Sequence, residues 1–405
     1  MVAYATLAAS RIKKGPGREE SVMDEGLRER VAGIIADFDS QGIHRTGTEV
    51  DDDSAAWLAG RVGDLGVAPV VSRFAFQRVD VERAELELGE VAVEGVPVFD
   101  GGFTDANGVV ARMGALGSEC GIGVATSLPF DGSEQAVAIR RARREGMHAA
   151  ILVVTDARMP PGGPAVFNAE EILEPYGPPV LQVGNEHWPA IEAAMHSGRE
   201  VRLIACARRI PGSAANVGAV VAGRKPGLKP LVVMTPRSGW WQCASERGGG
   251  IAGWLEIMRT LRDEGPDRDV IFTANSGHEL HHLGLDAFLA QERALVDGAK
   301  LWIHLGANFA ARHSAIRLQY SDEAIRSRFA SLADSPRPSV ETPIGERPFG
   351  EARNVHDGGG QYLSILGDNR LFHHPADRWP DAVDLDSAVV WIRALSAAAS
   401  AFAAD

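Results

Sequence analysis

The sequence predicts an α/β fold in which helices cover both faces of a mostly parallel central sheet, with a small β-rich α/β domain inserted into the chain. Three observations lead to this prediction. Strands and helices alternate after residue 212, and short strands with glycine turns fill residues 81–211. The chain has 405 residues, which is more than one simple core usually holds. We therefore predict one domain from residues 1–80 and 212–405, and a second from residues 81–211.

The first part of the chain begins with two predicted helices and a strand. Apolar residues recur at helical spacing over residues 24–38 and again over residues 53–65. The loop between them contains Arg45-Thr46-Gly47-Thr48. Residues 70–79 alternate between apolar and polar side chains, which predicts a strand.

The inserted part has a different texture. Short strands are predicted at residues 85–88, 91–93 and 121–125. A strong helix over residues 133–146 leads into an apolar strand at residues 149–154. A second helix over residues 186–196 leads into a strand at residues 200–205. This pattern indicates a separate small domain.

After residue 211 the strand–helix alternation returns. The predicted strands are residues 216–221, 231–234, 270–274, 301–305 and 361–366, and the predicted helices are residues 249–262, 284–291 and 385–403. Such alternation favours a parallel sheet. Catalytic groups in these sheets lie beyond the carboxyl ends of the strands, so those ends are where the site is expected.

Charge and cysteine content limit the partners and the compartment. A formal net charge of -13 argues against nucleic acid or a membrane as the main partner, because both attract a basic surface. Cys120, Cys206 and Cys243 are sparse and lack metal-binding spacing, which indicates reduced thiols. Residues 1–10 lack a basic leader. We expect a cytoplasmic protein with a small-molecule or short-peptide substrate, and the apolar last helix suits either the core or a homo-oligomer contact.

Polar and ionisable side chains gather at four predicted strand ends. Residues 235–250, 275–282 and 367–377 follow three strands, and His304 lies within a fourth. Six of the twelve histidines fall in these segments. Carboxylates and imidazoles at neighbouring strand ends are the groups that bind zinc or a similar divalent ion.

The chain resembles the co-catalytic zinc aminopeptidases, the family of bacterial secreted aminopeptidases, glutaminyl cyclases and the transferrin receptor ectodomain. The opening helix–loop–helix fits this family. Residues 210–217 resemble the exit from a protease-associated insert, and Phe372-His373-His374-Pro375-Ala376-Asp377 resembles the closing Tyr-His-Thr-Pro-x-Asp. The resemblance covers nearly the whole chain and implies the same fold.

The resemblance also implies an altered metal site. Arg237 and Gly239 stand where the family has a His and an Asp, and a later Asp ligand falls near Gly306. The ligands unique to one metal position are therefore missing. At the other metal position, all three protein groups are still oxygen or nitrogen ligands: Glu246, Glu279 and His373.

The resemblance therefore implies a mononuclear site in which Glu246, Glu279 and His373 hold one divalent ion, with water as the fourth ligand. Zinc is the ion that the resemblance implies, and manganese or iron would also suit two carboxylates and an imidazole. The ion would polarise a carbonyl group and lower the pKa of its water. His278 stands where the family keeps its carboxylate base, and it could take that proton or bind the ion.

We predict a metal-dependent hydrolase of the aminopeptidase type that cleaves an amide or peptide-like bond. Arg237 is expected to act in catalysis by holding a substrate carboxylate through two parallel hydrogen bonds, or else to pair with Glu246. Two other functions stay open: a mononuclear cyclase or lyase, and a non-catalytic pseudopeptidase that binds a ligand without any metal.

The remaining site residues have supporting roles. The substrate pocket is predicted to be lined by Trp240, Trp241, His304 and His356. Asp377 is expected to fix the ring of His373 or to cap a turn, and His282 to support the ligands from outside. His278-Glu279-Leu280-His281-His282 also matches the HExxH motif of zincins, which requires a helix. Gly248-Gly249-Gly250 is expected to let a helix start pack closely against the metal loop.

Overall fold

The computed structural model describes residues 18–130, 132–332 and 336–404. Residues 1–10, in which the sequence shows no basic leader, lie outside these ranges. The helices are α1 (Arg18–Ser40), α2 (Glu49–Asp64), α3 (Glu134–Glu145), α4 (Trp188–Ser197), α5 (Gly248–Glu264), α6 (Leu283–Gln291), α7 (Leu295–Gly298), α8 (Glu323–Ser331), α9 (Ala352–Asp357) and α10 (Leu385–Ala403). The strands are β1 (Pro69–Leu88), β2 (Val91–Glu94), β3 (Val96–Pro97), β4 (Val109–Ala115), β5 (Ile122–Ser127), β6 (Ala150–Thr155), β7 (Val180–Val183), β8 (Glu200–Val221), β9 (Leu231–Pro236), β10 (Val270–Asn275), β11 (Leu301–Leu305), β12 (Arg317–Tyr320), β13 (Val340–Glu341) and β14 (Tyr362–Leu366).

The central sheet has a parallel middle and antiparallel flanks. Strands β10, β9, β11 and β14 lie side by side and parallel. On one side β8 joins β10 antiparallel, and on the other β12 joins β14 antiparallel. The predicted fold class is confirmed, and the sheet is mixed at its flanks. The carboxyl ends of the four parallel strands meet at one edge.

A long two-stranded ribbon connects the parallel strands of the central sheet with the strands of residues 81–211, the predicted insert. Strands β1 and β8 pair antiparallel from Pro69 opposite Ala219 to Glu87 opposite Arg202. The second half of β8 also pairs with β10, while its first half pairs with β4. Strands β4, β5, β6 and β7 then follow in parallel.

The sequence predicted separate strands at residues 200–205 and 216–221, yet both belong to β8. Pro211, which looked like a break, lies opposite Gln77 within the ribbon. Proline is tolerated in sheets at positions where its missing N–H is not needed for pairing. The predicted domain boundaries at residues 81 and 211 fall inside this ribbon, and the division into domains stays a prediction.

Alternation along β9 explains why helices cover both faces of the sheet. Successive side chains of a strand point to opposite faces. Leu231 and Val233 join the large core formed with α1, α2, α5 and α10. Val232 and Met234 join a second cluster with residues of α6 and α9. Because both faces of the strand are buried, every residue from Leu231 to Met234 is apolar, and the first polar side chain is Thr235.

The last helix is part of the core. By length and composition α10 could cross a membrane, but half of its apolar window, 50%, is buried inside the protein. It packs against α5 and α1, with Ile392, Leu395 and Ala399 fully covered. The predicted role of this helix in the core is confirmed, whereas a homo-oligomer contact stays a prediction.

Candidate functional site

The candidate site lies at the carboxyl ends of the parallel strands and is almost fully enclosed. Its centre is formed by Glu246, Arg247 and His373, whose side chains are at most 1% exposed. Nη2 of Arg247 lies 2.7 Å from Oε1 of Glu246, and Nε2 of His373 lies 3.4 Å from the same oxygen. Burial acts to raise the pKa of Glu246, but the charges of Arg247 and His373 outweigh it and lower that pKa to about 2. Glu246 is therefore ionised.

Several polar atoms of this cluster have no aligned hydrogen-bond partner among the described residues. They are both carboxylate oxygens of Glu246, both terminal nitrogens of Arg247, and Nε2 of His373. Oε2 of Glu351 and Nε2 of His304 share this property nearby. Buried polar atoms without partners are uncommon in native proteins and require an explanation such as a bound molecule or a catalytic role.

The cluster is held in place by its own loop and by the insert. Asp377 accepts hydrogen bonds from the backbone N–H groups of Ser245 and Glu246, at 2.8 and 3.0 Å. The ring of His373 contacts the carbonyl of Val166 through Nδ1, at 2.8 Å, which aims Nε2 at Glu246. Asp377 was expected to fix that ring or to cap a turn. The ring is fixed by Val166 instead, and Asp377 orients the backbone of Glu246.

Glu279 is committed to other partners. Its Oε1 accepts from the backbone N–H of Thr46 at 2.7 Å, and its Oε2 accepts from the hydroxyl of Ser238 at 2.6 Å. Nε of Arg247 donates to the carbonyl of Ser238 at 2.7 Å. Ser238 therefore connects Glu279 to the central cluster without bringing its carboxylate into contact with Glu246.

The predicted mononuclear metal site does not fit this arrangement. Within the described residues, no group of three or more His, Cys, Asp or Glu side chains is close enough to hold a metal ion. Glu246 and His373 supply two donors, whereas a catalytic zinc site has three protein ligands. The guanidinium of Arg247, 2.7 Å from Glu246, also places a fixed positive charge where a cation would bind.

A second buried pair adjoins the cluster. Nδ1 of His278 lies 3.4 Å from Oε1 of Glu351, which immediately precedes α9. Burial raises the pKa of Glu351 to about 8, although Arg247 opposes this shift. Burial, with Arg247 next in effect, holds the pKa of His278 well below its ordinary range. The contact therefore joins two uncharged groups near neutral pH, although its distance alone would allow a salt bridge.

Glu351 was absent from the residues predicted from sequence. It lies in a segment without helical or strand periodicity, ahead of a helix of only six residues. The nearby Glu346 and Glu341 look the same in the sequence but are exposed. Only the tertiary fold separates the buried carboxyl group from the exposed ones.

Arg237 has a different environment from the one predicted. It is fully buried and lies 3.0 Å from Oδ1 of Asp51. Its Nη1 donates to the carbonyl of Asp51 and its Nη2 to the carbonyl of Ala215, both at 2.8 Å. The expected pairing with Glu246 is wrong, because Arg247 makes that contact. Both terminal nitrogens are engaged within the protein, so the geometry does not favour Arg237 as a substrate anchor.

The other predicted residues divide between the site and its surroundings. Trp240 is buried and donates to Asn168, and Trp241 donates to the carbonyl of His373, so both border the site. His304 is buried, contacts Ser364 through Nδ1, and has a pKa lowered to about 3 by burial. His356 contacts the neighbouring Asp357 and the ring of Tyr362, which places it outside the cluster.

The segment containing His278 and His282 is a turn. It lies between the end of β10 at Asn275 and the start of α6 at Leu283. His281 and His282 have φ angles of 57° and 62°, which an α-helix does not allow. The rings of His278 and His282 stack at 4.9 Å, and Nδ1 of His282 contacts Asn354. The zincin interpretation is therefore excluded, and His282 supports His278 by packing.

Residues 165–170, which belong to the predicted insert, cover the candidate site. The N–H of Ala169 donates to the carbonyl of Glu279 at 2.8 Å, and Asn168 accepts from Trp240. The carboxylate of Glu170 accepts from Arg353 at 2.9 Å and lies 3.3 Å from Nδ1 of His281. We call residues 165–170 the covering segment. Nothing in the sequence pattern marked it, because its contacts are mostly with backbone atoms.

Comparison with known proteins identifies the fold through solved structures. No protein-family profile and no curated protein sequence matches the chain. Among solved structures, a zinc aminopeptidase from Bacillus subtilis superposes with a TM-score of 0.74 at 14% identity, covering 93% of this chain and 94% of that one. The peptidase M28 precursor from Shewanella amazonensis gives a TM-score of 0.72 at 16% identity, covering 95% and 96%. An aminopeptidase from an Aneurinibacillus strain gives 0.66 at 14% identity, covering 93% and 94%. The chain therefore has the fold of the zinc aminopeptidases, as its sequence resemblance predicted.

Proposed function

We propose that this protein is a peptidase-type hydrolase that cleaves the amide bond of a small molecule or short peptide in the enclosed site. The observation that carries the proposal is the set of donors and acceptors on Glu246, Arg247 and His373 that make no aligned hydrogen bond, although the three side chains contact one another. Such a set is complementary to a polar ligand with both acceptor and donor groups, and an amide has both. The fold supports hydrolysis by analogy alone, because one fold can host many reactions.

The contact between His278 and Glu351 supports proton transfer in this site. Paired groups whose pKa values are pushed apart are a common acid–base arrangement. Glu351 carries its proton near pH 7 and can donate it to a leaving nitrogen. The lowered pKa of His278 makes its ring a weak base, so His278 passes the proton of the attacking water on to Glu351, 3.4 Å away. The role of base that the sequence suggested for His278 becomes that of a proton relay, and Glu351 is the acid that the sequence missed.

The proposal omits a substrate carboxylate. That expectation depended on Arg237, whose terminal nitrogens are bound to Asp51 and Ala215. We also propose a cytoplasmic protein without a nucleic-acid or membrane partner, on the basis of its net charge of -13 and its sparse cysteines.

The test is product analysis by liquid chromatography and mass spectrometry with a panel of short peptides and N-acyl amino-acid amides. We expect the wild type to cleave at least one member of the panel. Glu351→Gln should lose about a hundredfold in rate, because general acid–base catalysis contributes on that scale. Glu346→Gln, the same change at an exposed position, is the matched control and should be fully active.

Cleavage that is unaffected by Glu351→Gln would contradict the assigned acid. A purified protein that carries a bound small molecule but cleaves nothing in the panel would point to the non-catalytic binding protein. Release of ring-closed or unsaturated products would point to the cyclase or lyase.

A second candidate is the metal-dependent hydrolase predicted from sequence, with Glu246, Glu279 and His373 around one zinc ion. It is favoured by one observation: the carbonyl of Val166 holds Nδ1 of His373 so that Nε2 faces Glu246, as ring contacts do in metal sites. Elemental analysis of the purified protein and of Glu279→Ala tests it. About one zinc, manganese or iron per chain, lost in the variant, would support this candidate over the metal-free site.

A further inference from the structure

We propose that Arg247 takes the place of the metal ion and that the site binds an uncharged amide, with the carbonyl oxygen on Arg247 and the N–H on Glu246. This inference deepens the proposed function, since it names the class of substrate and the group that polarises it. It depends on the proposed function only for the hydrolysis step and not for binding.

The first support is the geometry of Arg247. Its Nε is bound to the carbonyl of Ser238, which fixes the plane of the guanidinium. Both terminal nitrogens remain without an aligned acceptor, although Nη2 lies close to Glu246. An anchored guanidinium whose terminal N–H groups make no aligned hydrogen bond is a preorganised donor for an oxygen atom, and its ion pair with Glu246 holds it in place. Arg237, by contrast, uses both terminal nitrogens on backbone carbonyls.

The second support is the charge balance of the enclosure. Arg247 is balanced by Glu246, and Glu170 is balanced by Arg353. Glu279 lies within electrostatic reach of Arg45, which raises the pKa of that arginine against the lowering effect of burial. A ligand with a net charge would therefore bring an uncompensated charge into a buried site, which is strongly unfavourable. An uncharged ligand avoids this penalty.

The third support is the match between the unpartnered atoms and an amide. The carbonyl oxygen of an amide accepts hydrogen bonds, as the terminal nitrogens of Arg247 require. Its N–H donates, as the oxygens of Glu246 require. A carboxylate has acceptors only, and it would face the ionised Glu246 at short range.

The hydrolysis step then needs only water as a second reactant. The oxygen of water bonds to the carbonyl carbon, and the proton that it loses passes through the ring of His278 to Glu351, whose carboxyl group lies 3.4 Å away. The C–N bond breaks, and the nitrogen takes the proton of Glu351. Negative charge that develops on the carbonyl oxygen in between is stabilised by the guanidinium of Arg247. The products are a carboxylic acid and an amine, and no metal is required.

The experiment is isothermal titration calorimetry on the full chain after treatment with a chelator. The probes are N-acetyl amino-acid amides and, as matched anions, the N-acetyl amino acids with the same side chains. We expect at least one amide to bind without added metal, and its matched acid to bind more weakly. Arg247→Met should weaken binding at least about tenfold, since a hydrogen bond to a charged group is lost.

Two variants guard against a trivial loss of fold. Arg247→Lys keeps the positive charge but loses the two-pronged donor, and it should fold and bind more weakly than the wild type. Arg158→Met, at an exposed site in the insert, should bind as the wild type does. Circular dichroism confirms that each variant is folded.

Binding that appears only after zinc is added, a preference for the acids, or no binding of any uncharged amide would each overturn the inference. Binding that survives Arg247→Met would also overturn it. If amides bind as expected but are never cleaved, the proposed hydrolase fails and the inference stands. If they are cleaved only with zinc, the hydrolase stands and the inference fails.

Discussion

Arg237 and Arg247 lie ten residues apart after the same strand, and both side chains are completely buried. Arg237 faces Asp51 and donates to two backbone carbonyls, so its terminal nitrogens are satisfied within the protein. Arg247 faces Glu246 and keeps both terminal nitrogens without aligned acceptors. The first arrangement is typical of a structural ion pair, and the second is the one that we propose as a binding site.

The comparison shows why burial of a charge does not by itself indicate function. A buried ion pair loses hydration, and it is tolerated when further hydrogen bonds complete it. Asp51 also accepts from the N–H of Gly47 and from the hydroxyl of Ser276, so its carboxylate is fully engaged, although Nε of Arg237 has no aligned partner. The distinction lies in the terminal nitrogens, which donate to backbone carbonyls in Arg237 and have no aligned acceptor in Arg247.

The largest expected effect comes from breaking the structural pair. Arg237→Met leaves Asp51 buried without its cation and leaves the carbonyl of Ala215 without a donor. We expect a loss of about 3–5 kcal/mol in the free energy of unfolding, as for other buried pairs that lose one partner. Urea denaturation followed by circular dichroism measures it. A loss below about 1 kcal/mol would mean that Arg237 is not structural.

The sequence predicted the parallel strands, the strand ends at which the site lies and most of the residues around the site. It did so because strand ends carry polar side chains that stand out against apolar strands such as residues 231–234. It could not separate Arg237 from Arg247, since only tertiary contacts decide which arginine reaches Glu246. Glu351 and the covering segment were missed for the same reason: neither has a periodic pattern.

The next prediction concerns the ion pair of Arg247 and Glu246, whose removal should raise stability where removal of Arg237 lowers it. The double variant Glu246→Leu with Arg247→Met removes both charges and their unpartnered atoms together. Replacing a buried ion pair with apolar residues is often neutral or stabilising. We expect a gain of about 0–4 kcal/mol in stability by urea denaturation, together with complete loss of ligand binding. The matched control is Asp51→Leu with Arg237→Met, which should lose stability because it leaves two backbone carbonyls and the N–H of Gly47 without partners, whereas Arg247→Met leaves only the carbonyl of Ser238 without its donor.

A smaller effect is expected where α5 begins, directly after Arg247. A Cβ atom at Gly250 would lie 2.5 Å from Oγ1 of Thr235 and 3.1 Å from the carbonyl oxygen of Leu305. This close approach agrees with the predicted role of the glycine run. Gly250→Ala should cost about 1–3 kcal/mol by overpacking. Gly60→Ala in α2, where no atom lies within 4 Å of the added carbon, should be neutral or slightly stabilising by thermal denaturation.

The smallest effect on stability should come from the contact that ties the covering segment to the catalytic side. Glu170 is partly exposed, and its ion pair with Arg353 joins side chains that are 28% and 23% exposed. Partly exposed pairs contribute little, so Glu170→Gln should cost less than about 1 kcal/mol in global stability. Local opening can nevertheless change without global unfolding.

Hydrogen exchange should therefore reveal what denaturation does not. The N–H groups of Val166 and Ala169 donate to the carbonyls of His373 and Glu279, so they exchange only when the covering segment leaves the site. In Glu170→Gln we expect these two amides to exchange faster, while amides in the middle of β9 and β10 keep their rates. Equal acceleration everywhere would indicate global destabilisation, and no acceleration at all would mean that Glu170 does not hold the segment closed. Only a selective effect would make the covering segment the route by which a ligand reaches Arg247.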